Sequence, residues 1–245
     1  MKNLNSKLLL IFALAISSTL FSQNWWSNKS IKGNGNVTEI TRSTSDYDAI
    51  RCAGFMDFEL VKGKEGNITI EGESNLLDYI ITEIEYNALV VKVKKGVNLK
   101  TSWKKGIKVT IPFEDIEKVS LAGSGDLWNK DRIEANKLKV NLSGSGDIVL
   151  KLKTGSLVSS VTGSGDITIS GETGDLETKV TGSGDFHGFD LNSDNTEAYV
   201  TGSGDIRVVS NKVLKARVTG SGDIEFKGNP DLEDTKVIGS GSISK

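Results

Sequence analysis

Val161-Thr162-Gly163-Ser164-Gly165-Asp166-Ile167 is one copy of a unit that recurs through the second half of the chain and decides its fold. Its core returns at Gly123–Asp126, Gly144–Asp147, Gly163–Asp166, Gly182–Asp185, Gly202–Asp205 and Gly220–Asp223. Gly239-Ser240-Gly241-Ser242 closes the series with Ser in place of Asp. Successive last positions lie 21, 19, 19, 20, 18 and 19 residues apart, a regularity beyond chance. The flanks repeat too. Five residues before the last position stand Leu121, Leu142, Val161, Val180, Val200, Val218 and Val237. One residue after it stand Leu127, Ile148, Ile167, Phe186, Ile206, Ile224 and Ile243. Seven residues before it the set is small or β-branched: Val119, Val140, Ser159, Thr178, Ala198, Ala216 and Thr235.

Apolar positions two apart, rich in β-branched residues, indicate strands. A unit of about nineteen residues cannot bury its own apolar side. Stacked units can, because each column then becomes an inward ladder with neighbours about 4.8 Å apart. The predicted fold is all-β, a parallel β-solenoid (β-helix). The extra residues of the longer steps are expected to bulge between Asp and the next strand, as at Ser193-Asp194-Asn195. Gly-Ser-Gly reads as the corner of each coil, where absence of a Cβ lets coils superimpose.

Outward from the repeat, residues 37–121 keep a strand-like pattern without the motif and are expected to form irregular N-terminal coils that cap the repeat coils of 122–245, as terminal repeats do. Within them Phe58–Val61 and Ile68–Ile70 read as strands around a hairpin or coil turn. Asn75–Tyr79 reads as a short helical turn. Ala88–Val93 and Ile107–Ile111 read as strands, the second ended by Pro112. Residues 23–36, with Trp25-Trp26 and Gly33-Asn34-Gly35-Asn36, form a lead-in. At the start, Lys2 and Lys7 precede an apolar run from Leu8 to Leu20, the pattern of a secretory signal peptide over residues 1–22. That run is too short to span a bilayer, no second span follows, and no cysteine follows it as a lipid-anchor site. The chain is therefore expected outside the cytoplasm: in the periplasm, on the outer-membrane surface or extracellular.

Charge is balanced, 30 basic against 32 acidic residues, so no strong overall field points to nucleic acid or an anionic membrane as a partner. The single cysteine, Cys52, permits no internal disulfide and reads as a small buried apolar residue.

The sequence resembles the putative auto-transporter adhesin head GIN domain family (DUF2807) over about residues 32–245. The resemblance rests on Lys32-Gly33-Asn34-Gly35-Asn36, Asn75-Leu76-Leu77-Asp78-Tyr79, the Gly-Ser-Gly-Asp series and Gly228-Asn229-Pro230. It implies a right-handed parallel β-helix and an exported, adhesin-like protein. Gly54-Phe55-Met56-Asp57 departs from it, standing where the family's Gly-Ile-Asn motif would fall.

Asp126, Asp147, Asp166, Asp185, Asp205 and Asp223 are the candidate calcium ligands, as a stacked row of oxygen donors. Calcium β-rolls use a different motif twice per coil, so the expected role is structural, each Asp bonding N–H groups at its own turn. No other cofactor is indicated. Enzymatic hydrolysis needs two carboxylates in unlike environments, whereas these repeat equivalently, and His187 has no histidine partner. The chain is therefore read as non-catalytic. Its expected role is adhesin-like binding of a protein or glycan at the cell envelope. The alternative is a structural or assembly role, with a homo-oligomer built through a solenoid face.

Overall fold

The computed structural model describes residues 29–245. The signal peptide and the lead-in up to residue 28, with Trp25 and Trp26, lie outside the described residues. Nine strands precede the repeat: β1 Lys29–Lys32, β2 Val37–Ser43, β3 Ala49–Gly54, β4 Asp57–Lys62, β5 Asn67–Glu73, β6 Ile80–Glu85, β7 Ala88–Val93, β8 Val97–Lys100 and β9 Lys108–Phe113. Twelve follow. These are β10 Lys118–Gly123, β11 Leu127–Asn129, β12 Ile133–Gly144, β13 Ile148–Gly163, β14 Ile167–Gly182 and β15 Phe186–His187. Then come β16 Leu191–Gly202, β17 Ile206–Val209, β18 Val213–Gly220, β19 Ile224–Lys227, β20 Leu232–Gly239 and β21 Ile243–Ser244.

From β10 onward every pairing is parallel, and the predicted columns are registered residue on residue. Leu142, Val161, Val180, Val200, Val218 and Val237 stack as direct partners. Ile148, Ile167, Phe186, Ile206, Ile224 and Ile243 do the same beyond the motif. The protein is thus a β-solenoid of about seven turns. Its core is this set of ladders, solvent-free along most of its length. Each buried Val, Leu or Ile contributes about 1.5–3 kcal/mol relative to exposure.

Two corners can be traced in the coil of β13. Along β13, Ile148, Leu150, Leu152 and Thr154 are buried, then Leu157, Ser159 and Val161, so the inward phase slips at Gly155-Ser156. The other corner is the motif. Gly163 has φ +123°, and a Cβ on Gly165 would sit 2.0 Å from the Gly146 carbonyl oxygen of the preceding coil. The N–H groups of Ser164 and Gly165 both donate to the Gly144 carbonyl, at 2.9 and 3.1 Å. Two donors therefore converge on one oxygen of the coil below, at a distance only glycine permits.

Step lengths vary away from Ser193–Asn195, contrary to expectation. Those residues pair in strand register with Thr173–Asp175. The register steps from Thr168↔His187 to Gly171↔Leu191, so the added residue lies between them, at Gly188–Asp190. The two extra residues of the longest step lie at Asn129–Arg132, between Leu127↔Ile148 and Ile133↔Leu152.

The N-terminal part differs from the expected irregular coils. One regular coil is present: β3 pairs with β10 and β4 with β11, both parallel, aligning Ile50, Cys52, Gly54 and Phe58 with Val119, Leu121, Gly123 and Leu127. Gly54-Phe55-Met56-Asp57 is therefore this coil's version of the motif. Residues between β4 and β10 leave the solenoid and return over it. β5 pairs antiparallel with β2 and β9, and β6 with β7, while β7 and β9 run parallel to β3 and β4. β4 and β5 thus form no hairpin with each other. The helical turn appears at Leu77–Tyr79. Pro112 lies inside β9 rather than ending it, and its carbonyl accepts the Tyr47 hydroxyl. Cys52 is buried, which pushes its thiol pKa up.

At the other end the eight residues of β20 are all exposed. Its register puts Glu233 in the inward column of Leu138, Leu157, Leu176, Thr196 and Leu214. A charge aimed inward on the last long strand deters edge-to-edge pairing.

Candidate functional site

The six predicted aspartates lie in one row, joined by Asp57 below them. Their partner differs from the expected one. Each carboxylate accepts the backbone N–H of the next coil's motif residue rather than a donor of its own turn. Asp57 Oδ1 accepts Asp126 N–H at 3.3 Å, and Asp126 Oδ1 accepts Asp147 N–H at 3.1 Å. The series continues through Asp166, Asp185, Asp205 and Asp223 at 2.9, 2.8, 2.7 and 2.8 Å. Asp223 Oδ1 then accepts both the N–H and the hydroxyl of Ser242, at 2.7 and 2.9 Å. Ser242, in the motif's Asp position, acts here as a double donor. The row consists of charge-assisted hydrogen bonds between coils, stronger than neutral ones. Repulsion between carboxylates at this spacing is only about 1 kcal/mol in water.

Two residues further along each strand runs a parallel outward row that does not repeat: Glu59, Trp128, Val149, Thr168, His187, Arg207 and Glu225. Its chemistry changes coil by coil beside a constant edge of carboxylates. At its N-terminal end Trp128 is pinned. Its indole N–H donates to Glu59 Oε1 at 3.3 Å, and Lys108, 2.8 Å from the other Glu59 oxygen, lies 5.7 Å from the ring centroid. The Lys108 hydrogen bond, with that of Trp128, holds the Glu59 carboxyl below its usual range against the opposing effect of burial. Trp128 and Val149, the latter 50% exposed, line an open groove of about 470 Å³ bounded by Asp57, Asp126, Asp147 and Lys151. Farther along, ligand-type atoms of Asp166, Asp185 and His187 lie within 4.8 Å of one another. There His187 Nε2 is 3.8 Å from Asp166 Oδ2, and the Arg207 guanidinium is 3.4 Å from Nδ1.

Asp57 lies outside the Gly-Ser-Gly-Asp series, although Ile50, Cys52, Gly54 and Phe58 repeat the spacing around it. The sequence quartet Gly33-Asn34-Gly35-Asn36 has a separate structural task. Asn34 N–H donates to Asn75 Oδ1 and its amide to Ser74 Oγ, while Asn75 Nδ2 donates to the Lys32 carbonyl. Beneath it Glu73, fully shielded from solvent, accepts Gly35 N–H at 2.5 Å, Ser102 N–H at 2.7 Å and Ser102 Oγ–H at 2.6 Å. These bonds, the Ser102 hydroxyl first, hold its carboxyl below the usual range.

The family described as "Putative auto-transporter adhesin, head GIN domain" (DUF2807) matches residues 46–230. No curated protein matches the chain. Among solved structures, a putative adhesin from Bacteroides fragilis aligns with TM-score 0.81 at 22% identity, covering 87% of this chain and 99% of that one. A putative lipid binding protein from Parabacteroides distasonis aligns with TM-score 0.74 at 28% identity, covering 89% and 99%. A putative adhesin from Parabacteroides merdae gives 0.70 at 24%, covering 88% and 98%. The two adhesin matches bear on the fold alone.

Proposed function

We infer function from one premise: the chain belongs to the putative auto-transporter adhesin, head GIN domain family. Membership supports an adhesin-like role at the cell envelope. We propose that the protein is exported, that it works by binding rather than by catalysis, and that its ligand is a glycan held in the Trp128 groove. The observation that carries this reading is an indole pinned by Glu59 and Lys108 beside an exposed Val149 and three carboxylates.

A sugar ring has an apolar C–H face and a rim of hydroxyls. The first suits an aromatic plane, and the second suits carboxylate oxygens, which only accept. In each of the three aspartates Oδ1 accepts the N–H of the next coil, and Oδ2 has no hydrogen-bond donor among the described residues. Three carboxylates against Lys151 disfavour acidic sugars, so a neutral glycan fits best. The same count weakens the calcium role. Calcium takes six to eight oxygens, whereas each rung has one oxygen left.

Binding of the exported chain and of Trp128→Ala to an array of neutral and acidic glycans tests the reading. A neutral-glycan hit weakened about tenfold or more by Trp128→Ala is expected, from loss of the stacking surface. A hit that survives the substitution rules out this groove. An array without hits, together with a stable oligomer in sedimentation, favours the assembly role instead.

A further inference from the structure

A second exposed tryptophan stands at the opposite extreme of packing. Trp103 is 86% exposed, in the loop between β8 and β9. The loop is nevertheless held tightly. Ser102, the residue before it, gives its N–H and hydroxyl to the shielded Glu73 carboxylate. Lys104, the residue after it, has φ +59°, a left-handed conformation seldom adopted by residues with a side chain. Lys105 closes the turn: its N–H donates to the Ser102 carbonyl at 3.0 Å and its ammonium to the Gly35 carbonyl. An indole in water gains nothing from such fixing. A strained, clamped loop that displays a large apolar side chain suggests a partner.

The charge around it names the partner's chemistry. β1 and β8 form a two-stranded sheet of their own, with Lys32 and Lys100 as direct partners and Gly33 N–H bonded to the Lys100 carbonyl at 2.8 Å. The segments 29–36 and 94–105 contain seven lysines, Lys29, Lys32, Lys94, Lys95, Lys100, Lys104 and Lys105, and no Asp or Glu, in a chain of net charge −2. None of the seven takes part in an ion pair among the described residues. Glu73, beneath the loop, is already spent on Ser102 and Gly35.

We propose that this end of the molecule docks on an anionic phospholipid surface, with Trp103 seated among the headgroups and Lys32, Lys100 and Lys104 against their phosphates. Indole rings favour the membrane–water interface, and lysines beside them keep their charge in the headgroup layer. A soluble polyanion would use the lysines but not a projecting indole. Docking by this end would hold the solenoid, with its Trp128 face, at the envelope. The named residues of this surface are not among those lining the proposed glycan groove, so the two readings are tested by different substitutions and fail separately.

Flotation of the chain, recovered after export, with vesicles of one part phosphatidylglycerol to two parts phosphatidylcholine tests the proposal. Binding above that to pure phosphatidylcholine is expected, with loss on raising salt from roughly 0.05 to 0.5 M. Lys100→Gln and Lys104→Gln should each weaken it about fivefold, and Trp103→Ser roughly tenfold through lost apolar burial. Trp128→Ala should leave it unchanged. All three tip variants should melt like the parent, since the altered side chains are exposed. No preference for the anionic vesicles overturns the proposal. So does Trp103→Ser binding as well as the parent, which would mark the lysines as a site for soluble polyanions.

Discussion

The repeat stack and the N-terminal cap solve one problem, satisfying a coil's polar groups, in opposite ways. In the stack the partner of each atom is the same atom set one coil away. Asp147 holds Asp166 as Asp166 holds Asp185, and Gly144 receives Ser164 and Gly165 as Gly163 receives Ser183 and Gly184. In the cap a few unique bonds close long loops: Glu73 gathers Gly35 and Ser102, and Asn75 reaches Lys32. The difference teaches where to look for function. What repeats holds the fold together. The features assigned to partners, Trp128 beside the carboxylate row and Trp103 at the clamped loop, do not repeat.

The largest effect should come from breaking the stack at its tightest contact. Gly165→Val would force side-chain atoms into the Gly146 carbonyl, 2.0 Å from the new Cβ, and should destabilise by about 3–5 kcal/mol or prevent folding. An unchanged melting temperature would show that the corner is looser than described. In the cap, Glu73 has a lowered pKa, so its folded-state value lies below its unfolded one. Its contribution is full above the ordinary value of 4.5 and is lost as pH falls through the lowered value. Amide exchange at Gly35 and Ser102 should accelerate in that acid range, and Glu73→Gln should accelerate it already at neutral pH. Exchange that does not change with either would detach Glu73 from the loop. A smaller effect, of opposite sign, is expected within the core. Thr178 has a buried hydroxyl without a hydrogen-bond partner in the inward column of Val140 and Ala198. Thr178→Val should stabilise by about 1 kcal/mol, read as a higher melting temperature.

Much of the stack was readable from spacing alone, because a solenoid turns sequence period into spatial register. The Val161 and Ile167 columns stack as their positions implied. The coil at Ile50–Phe58 carries the same spacing, yet 69 residues separate Asp57 from Asp126, so a search for an even period passes over it. Within the cap, β5, β7 and β9 were visible as strands, but not the antiparallel pairing of β5 with β2 and β9, since alternation looks alike in either direction. Nor could spacing reveal that a carboxylate reaches the next coil: a turn amide and a stacked amide are equally near in the repeat, and only the rise between coils separates them. The display of Trp103 was hidden for a related reason. It depends on Glu73, 29 residues earlier, folding beneath Ser102.

The central claim is that the repeated aspartate serves the stack as a hydrogen-bond acceptor. Asp205, which accepts Asp223 N–H at 2.8 Å, tests it several coils from Trp128 and outside the Asp166, Asp185 and His187 cluster. Chemical denaturation of Asp205→Asn and Asp205→Ala, with and without millimolar calcium, is the most direct measurement. The account predicts that Asn, which retains an acceptor, stays within about 0.5 kcal/mol of the parent, that Ala loses about 1–2 kcal/mol, and that calcium changes none of the three. Equal losses for Asn and Ala, or a parent stabilised by calcium and variants that are not, would contradict it.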